Sequence, residues 1–118
     1  MAAFCAVARA AMAETGLYDL AGIRVRALRA DHAAIGDGGA DLGFADMVLR
    51  QAPGRSAAEK KRAVQAIYGA LERWWQDRDR RPVALSLELV EIGYPFAEKR
   101  FNTLRPALAA RGRERGDV

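Results

Sequence analysis

The sequence predicts an α+β domain of βαβ type, and three observations carry that reading. Ser56, with Glu59 three positions on, forms a capping box ahead of a long stretch in which Val64, Ile67, Tyr68, Leu71, Trp74 and Trp75 fall on one helical stripe. In residues 83–92, Val83, Leu85, Leu87 and Leu89 alternate with Ala84, Ser86, Glu88 and Val90, the period-two pattern of a strand. A second strand-like run, residues 42–50, precedes the helix. Strand, helix and strand in that order imply a parallel pair joined by a crossover.

The remaining elements are read outward from that unit. Residues 2–15 are rich in alanine, and Phe4, Val7, Ala11 and Met12 recur at helical spacing. Gly16 then stands where a left-handed C-terminal cap is wanted. Ile23, Val25 and Ala27 alternate with Arg24 and Arg26, which predicts a strand. That strand is expected to pair antiparallel with residues 42–50 across a loop at 31–41, where Gly36, Asp37, Gly38 and Gly39 break regular structure. The expected sheet is therefore small and mixed, with two helices on one face. Residues 77–81 break the long helix, and Pro82 opens the last strand. Beyond Tyr94 the pattern weakens. Phe96, Phe101, Leu104 and Leu108 are left to pack on another surface, for which a neighbouring subunit is the candidate. Residues 1–108 read as one domain, and residues 109–118, with Arg111, Arg113 and Arg115, as a basic, flexible tail.

A chain of 118 residues, 51% of them hydrophobic, buries roughly two thirds of its unfolded surface and needs no covalent staple. Its one cysteine, Cys5, excludes an intrachain disulfide, so a reducing cytoplasm is the expected setting. No apolar run approaches the ~20 residues of a membrane helix. Arg9 and Glu14 interrupt the alanine-rich opening, and no basic leader precedes it, which argues against a signal peptide. The net charge of +4 and pI of 9.7 come partly from Arg78, Arg80 and Arg81 in a turn and from the tail arginines. No basic stripe interleaved with aromatics follows, so nucleic acid is not an expected partner.

Arg55 is the first candidate for a binding residue. An arginine just outside a helix N-cap adds positive charge to an electropositive helix end, which suits a site for an anion. The competing readings are a solvated turn arginine and an ion pair with Glu59. Arg24 and Arg26 share a strand face about 7 Å apart, a spacing that suits a dicarboxylate; an exposed strand face is the alternative, more so for Arg26. His32, the only histidine, has no orienting partner in sight. Asp37 and Asp41 fit no calcium-loop spacing, and the glycine loop lacks the lysine and helix of a phosphate loop. Cys5 reads as an inert, packed thiol, and Trp74 and Trp75 as core and rim. Glu88 projects opposite the leucines of its strand.

These segments also carry a resemblance. TGLYDLAGIRVRAL (15–28), APGRS (52–56) and ALSLELVEI (84–92) are similar to the corresponding stretches of 5-carboxymethyl-2-hydroxymuconate isomerases of the tautomerase superfamily, as are the helix at 56–76 and the segment 101–108. The resemblance implies two βαβ units in a four-stranded sheet, a homotrimer with active sites between subunits, and a cytoplasmic role in bacterial catabolism of aromatic acids. It implies a cofactor-free reaction in which an amino-terminal proline shifts a proton within an unsaturated keto acid of di- or tricarboxylate type. Arg24 and Arg55 match the family's substrate-holding arginines, with Arg26 a weaker candidate. The proline matches nothing here. It begins the family's first strand, whereas this sequence opens on Met1-Ala2-Ala3-Phe4, already in the first helix, and has no proline before Pro53. The expectation is a domain lacking its first strand, with the base supplied from upstream and the chain itself inactive. The alternative is a non-catalytic oligomer that keeps the anion site.

Overall fold

The computed structural model describes residues 1–78 and 81–115. Helix α1 (Ala2–Glu14) turns Ala8 and Ala11 into the core, with Phe4, Val7 and Met12 packed around them. Its exit is built as the glycine requires: Gly16 takes φ +71, and the Gly16 N–H donates to Ala13 O at 3.3 Å. The Thr15 hydroxyl takes a further end carbonyl, that of Met12, at 2.7 Å. A 3-10 turn, Leu20–Gly22, follows, capped by Asp19, whose Oδ1 accepts from the Ala21 N–H at 2.9 Å.

Strand β1 (Gly43–Gln51) leads into helix α2 (Ala57–Arg78), and strand β2 (Val83–Glu91) returns parallel to β1 in the register Gly43↔Val83 to Gln51↔Glu91. The capping box forms as expected: the Ser56 N–H donates to Glu59 Oε1 at 2.9 Å and the Glu59 N–H to Ser56 Oγ at 3.1 Å. Ala63, Ile67 and Leu71 of α2 and Leu49 of β1 complete the core with α1. Tyr68 reaches across to the sheet and donates to Leu85 O at 3.0 Å. The two long helices thus cover one face of the sheet. Phe44, Asp46, Val48 and Arg50 on β1, with Ala84, Ser86, Glu88 and Val90 on β2, make up the other face and are exposed.

One expected element does not form as a strand. Residues 23–28 join no sheet, so the antiparallel pairing with β1 is absent, and the sheet is two-stranded and parallel rather than mixed. Burial does alternate there: Ile23, Val25 and Ala27 are half-buried, while Arg24 and Arg26 are exposed. Val25 packs against the core cluster, which is enough to produce the alternation. A period of two reports a two-sided environment; it does not report a hydrogen-bonded neighbour.

After β2 the chain closes with helix α3 (Leu104–Arg115), which takes in residues 109–115 of the expected tail. Asn102 anchors its start by donating from Nδ2 to Ala21 O at 3.1 Å and accepting the Leu104 N–H at 2.9 Å. Phe96 and Phe101 remain almost fully exposed, at 94% and 90%. Among the described residues no helix is long and apolar enough to cross a membrane.

Candidate functional site

The site is built where three segments meet: the exit of α1, the end of β1 and the start of α2. Between Gln51 and the N-cap Ser56 the chain reverses through Gly54, whose φ of +116 restricts that position to glycine. The turn directs Arg55 back toward α1. Its Nη2 donates to Leu17 O at 2.7 Å and its Nη1 to Ala52 O at 3.3 Å. The guanidinium carbon lies 4.8 Å from the centre of the Tyr18 ring. Arg62, one turn and a half along α2, donates to Thr15 O at 3.2 Å. Two cations therefore face the C-terminal end of α1, where the helix dipole and its free carbonyls favour positive charge.

Beneath this cation a half-buried tyrosine meets a buried amide. Alternation along β1 sends Ala45, Met47, Leu49 and Gln51 inward, so Gln51 occupies a core position and is only 4% exposed. The Tyr18 hydroxyl donates to Gln51 Oε1, while Gln51 Nε2 is buried without a partner. Burial raises the Tyr18 phenol above its ordinary pKa, against a smaller opposing pull from Arg55. At neutral pH the hydroxyl stays protonated and remains a donor. Glu59 is a carboxylate with an electrostatic link to Arg55. The Ser56 N–H, then the Ser56 hydroxyl, hold its pKa below the ordinary value, helped by Arg62 and Arg55. It is a committed capping anion, unsuited to take up a proton near neutrality.

The chemistry available here is that of a fixed cation. A guanidinium carries five N–H donors. Two are used on Leu17 O and Ala52 O, which leaves three for a ligand. Neither competing reading of Arg55 describes it: the side chain is half-buried, and it makes no ion pair with Glu59 among the described residues.

The other candidates lie apart. Arg24 and Arg26 point to solvent, and among the described residues neither forms a hydrogen bond or ion pair, with Arg55 or with anything else. His32 is exposed in the loop ahead of the glycines. Asp37 serves its own turn, accepting the Gly39 N–H at 3.0 Å. Cys5 is half-buried in α1. Trp74 and Trp75 pack edge-to-face with Phe4 at centroid distances of 5.5 and 5.9 Å, as a hydrophobic cluster. Glu88 stands on the open sheet face opposite Val48. Sequence reasoning missed Tyr18 and Gln51. The available signal for Gln51 was a lone polar residue at an inward strand position; nothing local marked Tyr18.

No curated protein matches the chain. The family model of 5-carboxymethyl-2-hydroxymuconate isomerase matches residues 1–108, which include α1, β1, α2, β2 and the whole Tyr18–Gln51–Arg55 site. The chain therefore belongs to the 5-carboxymethyl-2-hydroxymuconate isomerase family, isomerases of the tautomerase superfamily.

Proposed function

We propose that this protein serves as a cofactor-free isomerase on an unsaturated, carboxylated keto-enol acid resembling 5-carboxymethyl-2-hydroxymuconate, in cytoplasmic catabolism of aromatic acids. The observation that carries the reading is Arg55: a half-buried guanidinium, fixed by two backbone carbonyls and an aromatic ring, with donors to spare. An arginine so placed binds a carboxylate bidentately, and it stabilises negative charge that develops as the acid passes through its enolate. Arg24 is the partner for a second carboxylate, with Arg26 the weaker alternative. Both are solvent-exposed cations on the segment that follows the Tyr18 turn, free to turn toward a dianion.

The reaction also needs a base within ~3 Å of the proton it removes. Tyr18 is held protonated and Glu59 is tied to its cap, so neither suits the role. The family's base is a proline amine, which desolvation and neighbouring cations bring toward neutrality. The first proline of this sequence is Pro53, in the turn before Arg55. With Tyr18 and Glu59 both unsuited as the base, the site also supports a second reading, a non-catalytic oligomer of the same fold that retains the anion site. In either case a homotrimer is the proposed assembly. The open sheet face, with Phe44 and Val48 each 53% exposed, is surface that a lone subunit leaves in water. Ketonisation of a simple enol acid, followed by ultraviolet absorbance for the chain preceded by a proline-first strand and for Arg55→Ala in that same extended protein, tests the reading. Turnover dependent on Arg55 supports the isomerase; carboxylate binding without turnover supports the second reading; neither sinks both.

A further inference from the structure

We infer that Tyr18 is a positioning residue for Arg55, setting the plane in which the guanidinium meets a carboxylate. This rests on reading Arg55 as an anion-binding residue. The three groups come from distant parts of the chain, and each restrains the next. Gln51 is fixed by the strand, since it ends β1 on the inward face and is 4% exposed. Its Oε1 accepts the Tyr18 hydroxyl, which stops the ring from sliding along the α1 exit. The ring in turn lies under the Arg55 guanidinium at 4.8 Å, the range in which the aromatic face attracts a cation.

The carbonyls of Leu17 and Ala52 cannot do this alone. They hold Nη2 and Nη1 from two directions at 2.7 and 3.3 Å, and the second bond is long. Two such bonds fix where the guanidinium sits but leave its tilt to whatever surface lies against it. Tyr18 is that surface, and it is joined to the Leu17 carbonyl by one peptide step, so ring and acceptor move as a unit. The phenol is protonated at neutral pH by its ordinary pKa of 10.0, which burial raises further, so the link to Gln51 persists there. The unpartnered Gln51 Nε2 adds weight: no competing acceptor turns the amide away from the tyrosine.

The experiment is a titration of the full chain with maleate, a rigid dicarboxylate, read by calorimetry in four variants. Tyr18→Leu should weaken binding roughly fivefold, the size of one partly buried cation–π contact. Tyr18→Phe keeps the ring, loses the lock to Gln51, and should recover to within about twofold of the parent. In an Arg55→Ala background Tyr18→Leu should change nothing further, since its effect passes through the arginine. Tyr18→Leu binding maleate as tightly as the parent, or weakening it as much without Arg55 as with it, overturns the inference while leaving Arg55 as the anion site. A parent that does not bind maleate removes Arg55 as a carboxylate site and this inference with it. Should Tyr18→Leu lose its helical circular dichroism, Gln51→Leu replaces it: a loss of about twofold that vanishes in Arg55→Ala supports the positioning role, and an unchanged affinity overturns it.

Discussion

Arg105 on α3 donates from Nη1 to Asp19 Oδ2 at 2.8 Å, while the other carboxylate oxygen of Asp19 caps the 3-10 turn at Ala21. One side chain thus joins the C-terminal helix to the segment that leads from α1 past Tyr18. Asn102 reinforces the same joint through Ala21 O. The last helix is therefore docked close to the candidate site by polar contacts, while Leu104 at its start and Phe101 ahead of it remain exposed.

This joint should be sensitive to acid. The hydrogen bond from Arg105, more than any other cause, lowers the Asp19 pKa below its ordinary 3.8. A depressed folded pKa means the contribution is present above about pH 4 and is lost as pH falls through the folded value. Because both side chains of the pair are exposed, the effect is local loosening of α3, not global unfolding. Backbone amide shifts of α3, followed from neutral pH down through the carboxylate range, should move with an acidic midpoint. In Asp19→Asn that midpoint should disappear; its persistence would rule out the ion pair as the lock.

Ser56→Ala should destabilise the chain by about 1 kcal/mol, the usual value of a lost N-cap. The Glu59 N–H loses its 3.1 Å acceptor, and the first turn of α2 frays next to Arg55. Urea denaturation gives the stability, and a loss below about 0.3 kcal/mol would mean the cap is replaced by water at no cost.

The capping box was legible because both partners lie within four residues and each has one obvious use. The same holds for Gly16, and for the parallel β1–β2 pair, whose apolar alternation and intervening helix leave few topologies. Residues 23–28 misled because alternation was produced by packing of Val25 on the core rather than by a ladder. The site was half legible. Arg55 stood out by its place before a helix, whereas its supports did not. Leu17 contributes only a carbonyl, which no side-chain pattern reveals, and Tyr18 and Gln51 meet across 33 positions of sequence. Helix α3 was hidden because its amphipathic signal is weak and its anchors are the polar Asn102 and Arg105.

Val48→Lys tests the proposed assembly. Val48 is 53% exposed on the open sheet face, so a lysine there has room and water and should change the stability of a lone subunit by about 0.5 kcal/mol or less. If that face is buried between subunits, the same substitution places an unpaired charge in the interface and the trimer should dissociate. Light scattering at micromolar concentration distinguishes the two, and an unchanged mass in both proteins would mean the face is not used.

Arg55→Ala should cost more than an ordinary surface substitution. It removes two hydrogen bonds to carbonyls, one of which ties the α1 exit to the start of α2, so a loss of about 1–2 kcal/mol in stability is expected. Carboxylate affinity should fall by roughly 1.5–3 kcal/mol on top of that. Arg55→Lys separates the two roles: a lysine can satisfy one carbonyl but cannot form the planar fork. It should regain more stability than affinity, and equal recovery of both would argue against bidentate binding.

The last prediction concerns the proton. A 118-residue chain that starts at Met1 should ketonise an enol acid slowly, if at all, whereas the same chain preceded by a strand whose first residue is proline should do so rapidly. The terminal amine of Met1 has a reference pKa of about 8, which by itself would allow it to act as a base. Its position argues otherwise: Met1 is the N-cap of α1, and its carbonyl accepts the Cys5 N–H at 3.1 Å. Arg55 reaches the opposite end of that helix, at Leu17 O. A helix rises ~1.5 Å per residue, so the thirteen residues of α1 place the amine on the order of 20 Å from the guanidinium of its own subunit. A base must come within ~3 Å of the proton it removes. An added strand has an edge to join, because among the described residues β1 pairs only with β2 and no strand lies along its other side. The comparison needs three proteins: the chain, the proline-first extension, and the same extension with alanine first. Rapid turnover in the proline form alone places the base at that residue. Equal turnover in all three would mean that a group already present between Met1 and Val118 moves the proton, and His32 would then be the first residue to replace.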